Sequence, residues 1–312
     1  MQPLRSLVLY LLAVLLLGAL FAPGLHGLAV WGGHHVPFLA TLAEGPFHRV
    51  VQRSLMLVAI LGLWPLLRGL NIRSWDGVGL VRPAGQWPRL AWGFAAGFGS
   101  MAAIALLAMA TGARRLAVDP HWATSLFTAA LSAGVVAVVE EVLFRGALFG
   151  ALRRAHHWVV ALAASSGLYA LVHFFQRSPS AGSVTWGSGF VTLGQMFRGF
   201  VEFDVLVPGF FTLTLAGLML GLAYHRTGSL YFSIGLHAGW IFWLKSCAVL
   251  TDAQPAAHPW LWRSARLTDG WPAFAVLGAL FGSLVLVWRR PAPARLPLPS
   301  TRESLGAGCD RR

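Results

Sequence analysis

Charge is scarce in this sequence. Only 11% of its 312 residues are Asp, Glu, Lys or Arg, whereas a soluble globular protein carries about 25%, so an extensive solvated surface is excluded. Cysteine is scarcer: Cys247 and Cys309 are too few and too far apart to frame disulfides or a thiolate metal cluster. Lysine is all but missing, with Lys245 alone beside 23 arginines. No internal repeat stands out, and the glycines form no phosphate-binding loop. Gly93 and Gly97, like Gly217 and Gly221, have the small-xxx-small spacing of helix contacts instead.

Apolar sequence fills the rest. Hydrophobic residues make up 56% of the chain, and the mean hydropathy is +0.65. Runs close to the ~20 residues that cross a bilayer as an α-helix recur throughout. The sequence therefore predicts an all-α, polytopic transmembrane helical bundle. Its eight expected spans are 6–24, 53–71, 89–111, 124–150, 157–176, 205–225, 229–250 and 271–288. The first run lacks a small-x-small cleavage site and reads as a retained helix. One bundle is expected over residues 1–290, with its motif-bearing region at 124–245 and a disordered Pro/Arg-rich cytoplasmic tail at 291–312. The Gly/Ser-rich stretch 177–204 either lies on the membrane interface or folds back as a re-entrant loop.

Arginine sets the expected orientation. With both termini inside, Arg5, Arg68, Arg73, Arg82, Arg89, Arg153, Arg154, Arg226 and the C-terminal arginines place 14 of the 24 basic residues on the cytoplasmic side. Nine, Lys245 and Arg266 among them, count with the opposite loops, so the bias predicts N-in, C-in. The net charge of +13 is then topological, and nucleic acid is not an expected partner. Arginine without lysine is the composition of a GC-rich bacterial genome, which makes a bacterial inner membrane the expected location.

Against this background "VEEVLFRG" at 139–146 stands out, because charge inside a span is costly and usually functional. Glu140 and Glu141 are the only acidic residues well inside an expected span. On a helix Glu141 and Arg145 lie about 40° apart and can pair, whereas Glu140 lies about 140° from Arg145 and faces elsewhere, toward a cavity. The bland alternative is a polar knot that locks helices together. Two histidines weigh against it: His173 and His237 are the ones that fall within apolar runs, and each comes from a different span. A glutamate and two imidazoles in a dry bundle can activate water. The histidines either hold a Zn²⁺ or act without metal as base partner and oxyanion donor. Hydrolysis requires the Glu140 carboxylate and both rings to meet within about 5 Å beside a water-holding cavity.

The series Glu140-Glu141-x-x-x-Arg145, Tyr169-x-x-x-His173 and His237 resembles the CPBP family of intramembrane proteases, the type II CAAX prenyl endopeptidase and bacteriocin-processing group. The resemblance covers roughly residues 124–245. It implies an eight-helix bundle that cleaves membrane-associated peptides or proteins near the cytoplasmic leaflet. By the same resemblance, Glu140 and His173 would activate water, and Glu141, Arg145 and Tyr169 would order the site. His237 would support the oxyanion or, with His173, ligate a metal. Two positions depart from the family pattern. Tyr169 replaces the usual phenylalanine, and Ile241 stands where an asparagine usually follows the last histidine by four residues. Isoleucine donates no hydrogen bond, so Ser233, Trp240 and Trp243 are the nearby substitutes. Two rival readings remain: a non-catalytic scaffold or immunity protein of the same family, and a proton- or metal-coupled transporter.

Overall fold

In hydrocarbon an unpaired backbone N–H or C=O costs several kcal/mol, so long apolar runs satisfy their hydrogen bonds within helices. The computed structural model describes residues 2–36, 44–117, 121–175, 183–200, 203–254, 258–262 and 266–288. Helices occupy all eight places where the sequence predicts a span: α1 (Gln2–Gly33), α2 (Phe47–Gly69), α3 (Trp87–Ala110), α4 (Trp122–Ala155), α5 (Trp158–Val172), α7 (Phe203–Thr227), α8 (Tyr231–Leu250) and α9 (Trp271–Val287). Between α5 and α7 lies a short helix, α6 (Ser188–Met196). The chain is an integral, multi-pass membrane protein with an all-helical bundle.

Six of these helices are long and apolar enough to cross a membrane. α5 and α9 have 15 and 17 residues, about 22 and 26 Å of rise against ~30 Å of hydrocarbon. Eight crossings and the N-in, C-in orientation therefore stay proposals. The tail expected from residue 291 lies outside the described residues, as do 177–182 and 201–202 within the stretch left open between interface and re-entrant loop. The described part of that stretch includes α6 and a 3₁₀ turn at Phe197–Phe200. Gly189 of α6 lies so close to α1 that a Cβ there would run into the Ala19 carbonyl.

α8 is the central helix, packed against α3 on one side and α4 on another. Glycine makes the first contact possible. Cβ atoms at Gly93 and Gly97 would collide with the α8 backbone at Phe232 and Leu236, and at Gly235 and Gly239 with α3. Gly217 of α7 likewise abuts Ser166 of α5. Such approaches give van der Waals contact where lipid offers no hydrophobic drive. At one end of the bundle β1 (Arg114–Leu116) pairs antiparallel with β2 (Thr251–Ala253), joining the loops after α3 and α8. At the other end the Arg154 guanidinium donates to the Leu70 carbonyl at 3.0 Å, beside the loop that carries Arg73 and Arg82.

α4 is not uniform. Its middle, Val142–Phe149, widens to a π-helix immediately after Glu141. π-Helical turns are uncommon and frequently accompany functional sites. Gly146 in this turn faces Val78 so closely that a Cβ would meet both its side chain and its carbonyl.

Candidate active site

The two adjacent glutamates have separate surroundings. Glu141 is fully buried, and Arg145, 3% exposed, donates to its Oε1 at 2.9 Å. The same oxygen accepts from His237 Nδ1, also at 2.9 Å. Arg145 donates weakly to the Gly217 carbonyl at 3.5 Å and stacks 4.3 Å over the Tyr169 ring. Arg145, Glu141 and His237 thus tie α4 to α8, and Tyr169 brings α5 onto the same knot.

Glu140 is 27% exposed and lines a cavity of about 230 Å³. Its Oε2 lies 3.8 Å from His173 Nε2 and 3.7 Å from His237 Nε2, too far for a direct hydrogen bond. That oxygen is buried and has no hydrogen-bond partner. The tautomers follow from the other ring atoms. His173 Nδ1 lies 2.7 Å from the Tyr169 carbonyl, which only accepts, so Nδ1 carries a proton and Nε2 is the ring atom that faces Glu140. His237 Nδ1 donates to Glu141 in the same way, and the Tyr169 hydroxyl lies 3.3 Å from His237 Nε2.

All six residues singled out in the sequence come together here. His173 stands one residue beyond α5, at its C-terminal cap, rather than inside the helix. The three proposed substitutes for an asparagine at 241 fare differently from what sequence proximity suggests. Ser233 donates to the Leu220 carbonyl at 3.0 Å and Trp240 to Ser100 at 2.9 Å. Trp243 packs tilted against Phe98, ring centroids 4.9 Å apart, and does not line the cavity. Ile241 does line it.

Sequence reasoning missed part of the wall. Thr212, Lys245, Arg266, Thr268 and Asp269 all border the cavity. Lys245 was counted with the loops, yet it lies on α8, two turns beyond His237. Its signal was available: the only lysine of the chain sits four residues after Ile241 and eight after His237.

A zinc ion takes at least three protein donors. Among the described residues no group of three or more His, Cys, Asp or Glu is arranged to hold a metal. His173 and His237, the pair named for that role, make two, and no step below runs through a metal.

Residues 120–243 match the family model of the type II CAAX prenyl endopeptidase Rce1-like proteins. That segment is similar to the family over 124 of the chain's 312 residues. The match supports a membrane protease, in line with the reading from the Glu140-Glu141-x-x-x-Arg145 motif. The Rce1-like segment holds Glu140, Glu141, Arg145, Tyr169, His173 and His237, whereas Lys245 and the 266–269 wall lie beyond it. No curated protein and no solved structure matches the chain.

Proposed function

We propose that this protein is an intramembrane endopeptidase acting on membrane-associated peptides or proteins. One observation carries the reading: an unpartnered, buried Glu140 oxygen flanked at 3.7 and 3.8 Å by two imidazole Nε2 atoms, on the wall of a cavity. A water can bridge polar groups at such spacings. Glu140 accepts a proton from that water while His173 Nε2 holds its second hydrogen. The hydroxide oxygen bonds to the scissile carbonyl carbon, whose π electrons move onto oxygen. Protonated Glu140 then returns its proton to the amide nitrogen as the C–N bond breaks.

The oxyanion needs a donor that Ile241 does not supply. Three hydroxyls belong to residues lining the cavity. Thr212 donates to the Pro208 carbonyl at 2.9 Å and Thr268 to Asp269 at 3.2 Å. The Tyr169 hydroxyl, beside His237 Nε2, is the one directed at the site. Tyr169 therefore takes the role of the asparagine, together with His237 in its imidazolium form, which Glu141 stabilises from the Nδ1 side. The two departures from the family pattern offset each other.

Lys245 and Arg266 are the charged, exposed residues on the wall and mark the cavity mouth. Both lie toward the β1–β2 end, opposite the arginine-bearing loops. With N-in, C-in topology, substrate enters from the extracytoplasmic side rather than at the cytoplasmic leaflet.

The test uses full-length protein in lipid vesicles, incubated with a defined mixture of lipidated and unmodified peptides and followed by mass spectrometry. Wild type should produce new termini, and Glu140→Gln should produce none while remaining folded. Equal products from both would overturn the mechanism. Ile241 also keeps the scaffold reading in view: a wild-type protein that binds peptide without cleaving it would establish that alternative.

A further inference from the structure

A cluster of cations without an acid lies at the end of the bundle away from the cavity mouth. There the last turns of α4 and α7 carry Arg153, Arg154, His225 and Arg226, beside Trp158, the first residue of α5. Arg153 and Arg226 are within electrostatic reach of His225, and Arg154 of Arg153. Among the described residues no carboxylate pairs with Arg153, Arg154 or His225, and Asp76 in the neighbouring α2–α3 loop is exposed. The positive-inside bias explains arginines in loops, and the C-terminal dipoles of α4 and α7 attract cations. Neither explains how Arg153 is held. Its guanidinium lies 5.5 Å from the Phe149 ring centroid and 5.6 Å from that of Tyr224, both buried rings. Half-buried itself, Arg153 forms no hydrogen bond among the described residues. A guanidinium gripped by aromatic rings keeps its N–H edge for a ligand. His225 adds a donor: its ring stacks 4.5 Å from that of Trp158 at 9°. Its Nδ1 is buried without a partner, so a hydrogen there would lack an acceptor, and the neutral ring is assigned its proton on Nε2. Arg154 uses one N–H on the Leu70 carbonyl and keeps the others.

We propose that Arg153, Arg154 and His225 form a binding site for the phosphate of an anionic phospholipid headgroup. Guanidinium forks match phosphate oxygens two at a time, and the start of α5 adds the positive end of its dipole at the same place. Position favours a lipid over a soluble phosphate. α4 has 34 residues, about 51 Å of helix against ~30 Å of hydrocarbon, so its last turn reaches the headgroup layer. Trp158 belongs to the residue type enriched at that level. Basic pockets between helix ends are where anionic headgroups are held. Arg153 lies thirteen residues beyond Glu140, roughly 20 Å along α4. The site is therefore separate from the Glu140 cavity and does not rest on the endopeptidase reading.

The experiment titrates purified full-length protein in neutral detergent with phosphatidylglycerol, phosphatidylcholine or inorganic phosphate. Bound lipid is counted by native mass spectrometry, and the melting temperature is followed in parallel. Phosphatidylglycerol should bind roughly 10- to 100-fold more tightly than phosphatidylcholine and raise the melting temperature as the site fills. Arg153→Gln should remove most of that preference, and Arg153→Lys, which keeps the charge but not the fork, should retain an intermediate one. A control variant with Arg73→Gln and Arg82→Gln, in the loop at the same end, should bind like wild type. A preference that survives Arg153→Gln, or an equal loss in the loop control, overturns the site and leaves only diffuse attraction. Inorganic phosphate that displaces the lipid at equal concentration overturns the lipid as ligand in favour of a soluble phosphoryl compound. Because Arg153 also packs on aromatic rings, exposed Arg154 supplies a second variant. Arg154→Gln should weaken phosphatidylglycerol binding several-fold at an unchanged lipid-free melting temperature, and wild-type binding in it would remove Arg154 from the site and overturn the cluster as proposed.

Discussion

Glu140 and Glu141 are neighbours in sequence and opposites in environment. Glu141 has no exposure and two partners at 2.9 Å, Arg145 and His237. Glu140 keeps 27% exposure and has only imidazoles at 3.7 and 3.8 Å. The same side chain thus serves as a fastener in one case and as an available base in the other. The difference teaches that a doubled acidic motif need not be a doubled function. The roughly 100° that separates consecutive helical residues sends one carboxylate into the packed seam between α4 and α8 and the other into the cavity.

Exchanging the two acids tests this contrast most severely. Glu140→Gln should lower cleavage by up to about 10⁴-fold with an unchanged melting temperature. Glu141→Leu should instead strand Arg145 in the seam and cost about 3–5 kcal/mol of stability, read as a lowered melting temperature in detergent. A variant at 140 that melts early while one at 141 melts normally would reverse the assignment. Next in size is Tyr169→Phe, which removes the hydroxyl beside His237 and should slow turnover about 10²- to 10³-fold. Adding Ile241→Asn to that variant should return much of the loss, because position 241 borders the same cavity. Additive effects of the two substitutions would argue that they do not share the oxyanion. The smallest expected effect is none. Removing metal with a chelator should leave cleavage unchanged, and a loss restored by zinc would assign His173 and His237 to a metal instead.

The glycine contacts sharpen the same comparison from outside the site. α8 carries His237 and touches α3 through Gly235 and Gly239. Gly235→Leu should push α8 from α3 and disturb both glutamates, lowering melting temperature and cleavage together. That paired loss differs from the separated losses expected at 140 and 141.

Several relations were legible in the chain before any coordinates. The helical bundle follows from the length of its apolar runs, and the Glu141–Arg145 pair follows from four-residue spacing within one helix. The outward turn of Glu140 follows from the same geometry. Other features were not legible. Nothing in spacing says that His237 Nδ1 meets Glu141, since 96 residues separate them. Sequence proximity nominated Ser233, Trp240 and Trp243 as donors, but proximity along a helix does not set direction, and the first two point to the Leu220 carbonyl and Ser100. Tyr169, read as an ordering residue, became a donor candidate only once its hydroxyl was located.

By itself the sequence determined the solvent in which this protein folds, the helices it forms and the partners each residue meets within its own helix. Periodicity carries that information, because neighbours along one helix are related by a constant rise and rotation. Which faces of different helices meet, which carboxylate is sealed and which is left open, and where the lone lysine points were decided only by tertiary packing. Those relations depend on helix rotation and close approach at glycines such as Gly97 and Gly235, contacts between chain segments that no local spacing encodes.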